Sequence, residues 1–470
     1  MRILGPDGKP IETGPAVSEE VQKIVENARA IAQQGDPATA LQQMVFAFQQ
    51  DVTSNLVLDT TCDLLQQMAQ RAGATSSEEY QLFDHLRQNR EDPVGYYQIG
   101  NRFFQLQQPV IALPFLRRAK QLLNGTKNEL SQAADVDYAQ CLMDLGAYQE
   151  AINAFHELND KYGGLPIWLI LEMAECYALL RQIDEAEAVY QIASPEAAAQ
   201  FPGMEEAHEE IGDLIARVHD FDGVEEMDLR AWHYVQTRGM LIDTNSDEDA
   251  PGGRYVLVQL GEEDVADIVG TTAALLDTKG YAPNRLLWLG ENSEPLARLF
   301  AQWWEIDEEN IRPYQPGDNS DDEDELGLLV MAHSYDVMSL PNEEALIDLL
   351  QARAGLITFA LDVRWTERQP MTPDIAGLLS QVCTLPWEPR LEVSADQQSV
   401  TRIEETRSPQ AVAEDLAKHF PPEEECDKYA QELLDYYSIC TDLLLDHRDG
   451  TLHRKTLVTH SPIKSPRIGF

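Results

Sequence analysis

From about Ser18 to Ala216 apolar residues recur every three or four positions, and short Gly, Pro, Asn and Asp breaks separate the runs. That period is the signature of amphipathic helices, so this stretch predicts helix after helix. Beyond Val224 the texture changes. Short runs rich in apolar residues appear at Ala231–Thr237 and Met240–Asp243, Tyr255–Gln259, Arg285–Leu289, Leu326–Ala332 and Leu356–Leu361. Helical patterns lie between them at Glu263–Lys279, Glu294–Trp304 and Glu343–Ala354. Alternating strand and helix with continuous apolar strands predicts an α/β domain with a mostly parallel sheet covered on both faces. Two further helices are expected at Pro409–His419 and Glu424–Leu445. The second carries Cys426, Tyr429, Leu433, Tyr437, Cys440 and Leu444 on one face, which should dock on the α/β domain or on a second copy. The expected domains are an arm at 1–16, helical repeats at 17–224, the α/β domain at 225–395, helices at 396–446 and a basic, flexible tail at 447–470.

The helical half is self-similar. Ala40, Ala112, Ala151 and Ala186 each open the second helix of a predicted pair, and the last three lie 39 and 35 residues apart. Around Ala112 stand Tyr96, Ile99, Gly100, Phe103 and Ala119. Around Ala151 stand Ala139, Gly146, Tyr148, Glu150 and Phe155, and around Ala186 stand Ala174, Tyr177, Glu185, Tyr190 and Ala193. A weaker unit holds Ala28, Gly35, Ala40 and Ala47, residues 54–90 read as a degenerate unit, and 204–219 as a capping helix. Small residues let the helices of a hairpin approach closely, while aromatics fill the gap toward the next hairpin. The spacing and these side chains resemble the tetratricopeptide (TPR) repeat, an all-α solenoid. Pro114 departs from the pattern and is expected in the first turn of its helix.

The resemblance implies a groove lined by first helices that grips an extended peptide or a helix. One TPR subclass clamps acidic chain ends with Lys and Asn at fixed points. The matching positions are Tyr97 and Asn101, Val136 and Gln140, Leu171 and Glu175, and of these Asn101 alone fits. The groove is therefore expected to take a basic or apolar protein or peptide through Asn101, Gln140 and Glu175.

For the α/β domain, ligands are expected beyond the carboxyl ends of the strands. Leu289-Gly290-Glu291-Asn292-Ser293 runs from strand to helix, and with Ala297, Phe300 and a preceding Trp232–Leu241 hairpin it resembles a phosphoribosyltransferase-like domain. That family's diphosphate-sugar loop, two acids followed by Thr-Gly, stands here as Ala332-His333-Ser334-Tyr335-Asp336. Glu291, Ser293, His333 and Asp336 form the candidate strand-end site, with Asp362 at another strand end read as a cap or turn residue. No GxGxxG or GxxxxGK[ST] occurs, and Glu291 and Glu294 at a helix N-terminus would repel phosphate. No cofactor is expected. The first expectation is an interaction scaffold with a non-catalytic α/β domain. The alternative is a divergent transferase whose repeats recruit a protein substrate.

Charge narrows the partners. Against 81 Asp+Glu stand 35 Lys+Arg, of which 10 are Lys, for a formal net charge of −46. Such a surface does not draw nucleic acid or an anionic bilayer. No run is long and apolar enough to span a membrane, no secretion signal opens the chain, and a cytoplasmic location is expected. The six cysteines form no CxxC pair, the histidines show no HxxxH or HExxH spacing, and no metal is expected. Two acidic loops, Asp243–Asp249 and Asp318–Glu325, interrupt the α/β pattern; the first starts like a calcium loop but puts Glu248 where Gly is needed. The tail 447–470 reverses sign. Arg448, Arg454, Lys455, Lys464 and Arg467 face only Asp449, a net +4 that leaves about −50 on residues 1–446. It is a candidate for docking on its own repeats, a second copy or an acidic partner.

Excess acid with scarce Lys suits either a surface kept hydrated in strong brine or an ordinary acidic cytosolic protein. Salt screens self-repulsion, so the first reading predicts a melting temperature that climbs steeply with added KCl. A melt unchanged by salt excludes it.

Overall fold

The computed structural model describes residues 18–221, 228–242, 254–318, 326–351, 355–364, 370–393, 400–403, 405–447 and 466–469. The arm 1–16, the acidic stretches 243–249 and 319–325, and most of the tail lie outside them. The chain divides into two compact units, Met1–Leu180 with Ala188–Glu205, and Arg181–Glu187 with Glu206–Phe470.

The first unit is a run of helices: α1 (Glu19–Gln33), α2 (Pro37–Gln50), α3 (Asn55–Arg71), α4 (Glu78–Gln88), α5 (Pro93–Gln105), α6 (Pro109–Leu122), α7 (Glu129–Asp144), α8 (Tyr148–Tyr162) and α9 (Ile167–Leu179), then α10 (Ile183–Ile192), whose first residues are assigned to the second unit, and α11 (Pro195–Ala198). Their starts are chemically marked. Ser18, Asp36, Ser77, Asp92 and Asn128 accept backbone N–H groups of the first turn, and Pro37, Pro93 and Pro109 occupy first helical positions. From α1 to α9 each helix packs on the next, and α1 also packs on α3 and α5 on α7, so first helix stacks on first helix. This is the all-α helical-repeat solenoid that the periodicity predicts, and α3 and α4 fill the stretch read as a degenerate unit.

The small residues sit where helices meet. Ala40, Ala112, Ala151 and Ala186 are all 0% exposed. A Cβ on Gly100 would lie 2.7 Å from the Leu116 side chain and 3.0 Å from the Leu116 backbone nitrogen. Aromatics fill the space beyond: Phe48 and Phe83 meet Phe115 at centroid separations of 5.2 and 5.5 Å. Pro114 lies inside α6, not in its first turn, because Pro109 already opens that helix.

The second unit contains α12 (Met204–Asp220) and α13 (Leu229–Thr237), then a sheet of β1 (Met240–Leu241), β2 (Arg254–Gln259), β3 (Arg285–Leu289), β4 (Ile311–Pro313), β5 (Gly327–His333), β6 (Leu356–Arg364) and β7 (Ile375–Thr384), a β8–β9 hairpin (Arg390–Val393, Val400–Ile403) and β10 (Pro466–Gly469). The sheet order is β10-β2-β7-β6-β5-β3-β4, with β1 against β7, and every described pair in it is parallel. Helices α14 (Glu262–Thr278), α15 (Glu294–Trp304), α16 (Glu343–Gln351), α17 (Pro409–Leu416) and α18 (Glu423–Tyr437) complete it. All of β5, and all of β6 but Arg364, is buried, as a sheet covered on both faces requires. Helix α18 packs on α14, with Cys426 Sγ 2.9 Å from where a Cβ of Gly270 would lie. Its Tyr437 hydroxyl accepts the Leu241 N–H at 2.9 Å, so the C-terminal helices dock within this unit.

Four expectations change. Ala231–Thr237 is helix α13, not a strand. Asp228 caps it by accepting from the N–H groups of Arg230 and Ala231, and burial on nearly every side hides its period. Strand β7, third from one edge of the sheet, falls where the sequence pattern predicts no strand. The helix expected over Glu424–Leu445 stops at Tyr437, and Leu443, Leu444 and Leu445 are buried beyond it. Within the tail, Pro466–Gly469 pairs with β2, because an edge strand offers unpaired backbone groups.

If the Gly100 contact sets the spacing of α5 and α6, Gly100→Ala should cost about 1–3 kcal/mol by overpacking. Urea unfolding of the full chain measures it, and an unchanged midpoint would place the spacing elsewhere.

Candidate functional site

Two constellations gather the sequence-predicted residues. The first lies on the first helices of the repeats. Asn101 on α5 donates from Nδ2 to Asp137 Oδ2 on α7 at 2.8 Å. One step along, Gln140 on α7 donates from Nε2 to Glu172 Oε1 on α9 at 2.8 Å. These bonds form a ladder across three successive first helices. Glu175 stands one helical turn beyond Glu172 and adds its charge there, as does Asp144. Burial, reinforced by those two charges, pushes Glu172 up to about 8 against the lowering pull of the Gln140 bond. Burial likewise raises Asp137, opposed by its bonds from Asn101 and Tyr97. The ladder is thus a row of carboxyl groups held in place by neutral donors. Asn101 and Gln140 belong to it, and Glu175 acts on it through its charge. Asp137 and Glu172, the acids that the amides hold, had gone unnoticed. Their signal is a shared place in the repeat, each standing one residue after a clamp-matching position, Val136 and Leu171.

The second constellation lies at the carboxyl ends of the parallel strands. Strand β3 is followed in space by β4 on one side and β5 on the other, so a crevice is expected between the ends of β3 and β5. Its own side chains occupy this place. Ser293 Oγ, fully buried, accepts the Ala332 N–H at 2.7 Å and donates to Asp336 Oδ2 at 3.0 Å. Asp336 also accepts the His333 backbone N–H at 3.1 Å. Gly290 adopts φ +95°, and a Cβ there would collide with the Asp336 carboxyl group. The loop after β3 needs glycine for both reasons.

His333 is the centre. Its Nδ1 lies 3.1 Å from Asp362 Oδ2 at the end of β6, and its Nε2 lies 3.1 Å from Glu388 Oε1, beyond β7. A neutral imidazole donates once, so two carboxylate partners call for the imidazolium. Burial lowers its pKa, but the bonds to Asp362 and Glu388 outweigh burial and push it up to about 9. The carboxylates are anchored in turn. Asp362 accepts from Ser380 at 2.6 Å, and Glu388 accepts from Asn292 at 2.6 Å and the Leu385 N–H at 3.0 Å. Tyr335 stacks on His333 with centroids 4.9 Å apart, and the Arg364 guanidinium lies 4.1 Å from the Tyr335 ring.

Of the four residues expected at this site, Ser293, His333 and Asp336 converge, while Glu291 is exposed. The His333 ring turns to Asp362 and Glu388, and the Asp336 carboxyl group to Ser293. With 2% exposure and both ring nitrogens engaged, His333 has no nitrogen to accept a proton. The arrangement joins the ends of β3, β5, β6 and β7 electrostatically. Asp362, set aside as a turn residue, is a principal partner. Glu388 and Ser380 depend on β7, which the apolar run Ile375–Leu379 could have revealed.

Among the described residues no group of three or more His, Cys, Asp or Glu is placed to hold a metal ion, and no helix is long and apolar enough to cross a membrane.

No protein-family model and no curated protein matches the chain. Solved structures similar to it include MamA, 17% identical over 40% of this chain and 97% of that one, with a TM-score of 0.23. YrrB, a TPR protein with an unusual peptide-binding site, is 19% identical over 42% and 98%, with a TM-score of 0.24. TTC0263, a thermophilic TPR protein of Thermus thermophilus, is 14% identical over 41% and 97%, with a TM-score of 0.22.

The His333 assignment has a pH signature. A histidine whose pKa rises on folding contributes stability fully present below its unfolded value, 6.5, and lost as pH climbs through about 9. The wild-type advantage over His333→Gln should therefore be largest below that window and shrink across it in urea unfolding. His333→Ala, which leaves two carboxylates facing each other without a cation, should cost about 3–5 kcal/mol. A pH-independent gap between wild type and His333→Gln would mean that the ring is neutral.

Proposed function

We propose that this chain is an interaction scaffold whose repeats bind a basic, extended segment of a protein partner along the first-helix face of α5, α7 and α9. One observation carries the reading: the Asn101–Asp137 and Gln140–Glu172 bonds hold acids at equivalent positions of successive first helices. Fixed carboxyl groups at a regular step favour a regularly spaced cationic ligand, since their side chains need not be ordered on binding. A Lys or Arg arriving beside Glu172 favours its ionised form, so part of the attraction develops on contact. Asn101 and Gln140 orient the row, and Glu175 extends it.

The α/β domain acts in this reading as a non-catalytic partner module. Support comes from the crevice itself. The Ser293–Ala332 and Ser293–Asp336 bonds cross it, and His333 is bonded on both sides. A substrate would have to displace contacts among buried charged groups, each costly to leave unpaired.

The test compares two triple variants. Asp137→Asn, Glu172→Gln and Glu175→Gln together should keep the wild-type melting temperature but weaken partner capture by about tenfold or more. Neutralising three exposed acids of the other unit, Glu263, Glu309 and Glu343, should leave capture unchanged. Equal capture by both would sink the proposal. For the α/β domain, ATP and phosphorylated sugars should not shift the melting temperature. A shift that His333→Gln abolishes would restore the transferase reading.

A further inference from the structure

The sheet of the second unit ends in a strand that is remote in sequence from the rest. Among the described residues strand β10 has β2 as its one neighbour, and 18 residues, 448–465, separate it from His447. Four residues make a short edge strand with few ladder bonds. Without it, β2 would present a bare row of backbone donors and acceptors along Arg254–Gln259, the template that added strands recognise.

A second observation lies beside it. Leu257 on β2 and Val382 on β7 are register partners, and they remain 36% and 46% exposed. Ile468 of β10 is in register with Leu257. The position where the last strand docks therefore adjoins an apolar stripe that a single copy of the chain leaves open to water. A third observation is charge. The tail that carries the strand is net +4 while residues 1–446 carry about −50, so one copy's tail is attracted to another copy's body.

We propose that two copies of this chain exchange their last strands, each Pro466–Gly469 adding in parallel to the outer edge of the other copy's β2. Reciprocal exchange reuses the same backbone pairing, so it costs little relative to the closed monomer. What favours it is the new contact: a two-fold arrangement brings the two Leu257–Val382 stripes toward each other and removes them from water. The linker permits either arrangement, since 18 residues reach about 60 Å when extended. Within one chain the strand competes at an effective concentration of about millimolar, so the dimer should build up with concentration and persist once formed.

The register names the test. Position 257 of one chain and position 468 of the other become neighbours across a parallel pair, close enough for a disulfide. Full-length Leu257→Cys and full-length Ile468→Cys are mixed under mild oxidation. The expected product is a cross-linked dimer containing one chain of each kind, absent when either variant or the wild type is oxidised alone. In sedimentation, wild type should move from one to two chain masses as concentration rises. Ile468→Pro, which lacks the N–H and restricts the strand, should remain at one mass. The proposal is overturned if mixing yields no cross-linked dimer while the double variant Leu257→Cys with Ile468→Cys closes a disulfide within single chains. Wild type that stays at one mass throughout the concentration series overturns it equally.

Discussion

A carboxyl group taken out of water needs either a cation or a proton, and cations are scarce in this chain. Much of the structure follows from where the few are spent. Arg217, 2% exposed, and Arg238 face Glu210 and Asp442, and Arg238 also reaches Asp213. With the Leu444 N–H donated to the Arg238 carbonyl at 2.9 Å, this cluster fastens the segment after α18 to α12 and α13. Lys161 lies 2.7 Å from buried Asp135, with Lys120 on its other oxygen at 3.9 Å. His333 serves Asp362 and Glu388 together. Removing one member of such a cluster leaves a buried charge unpaired, which costs more than the pair itself contributes.

Where no cation is at hand, burial favours the proton. Asp137 and Glu172 have Asn and Gln as partners, neutral donors that orient a carboxyl group without balancing its charge. Both are raised above their ordinary values by burial. The contrast between the two constellations is thus one of counter-charge. The strand ends carry an internal cation, the His333 imidazolium, bonded to both Asp362 and Glu388. On the first helices the bonds to Asp137 and Glu172 come from neutral groups, and the further charges acting on Glu172, those of Glu175 and Asp144, are of its own sign.

The sequence revealed the repeats because their constraint is local and periodic. Ala112, Ala151 and Ala186 recur at nearly the repeat length, and each is fully buried where its helix begins. The α/β unit was legible where a strand is a continuous apolar run, as in β5 and β6. It failed at α13, whose Trp232, His233, Tyr234 and Val235 are all buried, so that no polar face marks the helical period. It failed again at β7, whose apolar run is broken by Gly377 and which ends in exposed and half-buried residues. The strand-end site was legible only in part for a related reason. Ser293 and Asp336 follow strands that the pattern identified. Glu388 lies 55 residues from His333 and follows the strand that was missed. Nothing in local sequence couples the two; only the order of strands in the sheet does.

That order also separates the two kinds of polar site on physical grounds. A parallel sheet brings the ends of four strands to one place, so charged side chains from distant segments meet there and are buried together. Such a cluster needs an internal cation to offset the repulsion among its carboxylates, and His333 supplies one. A helical solenoid spreads its equivalent positions along an axis, one per repeat. There the bonds to Asp137 and Glu172 come from neutral donors, and burial favours the protonated form of each. In a chain this acidic, a site that already contains its counter-charge is built to hold the fold together. A row held by neutral donors is where a charged partner has something to add.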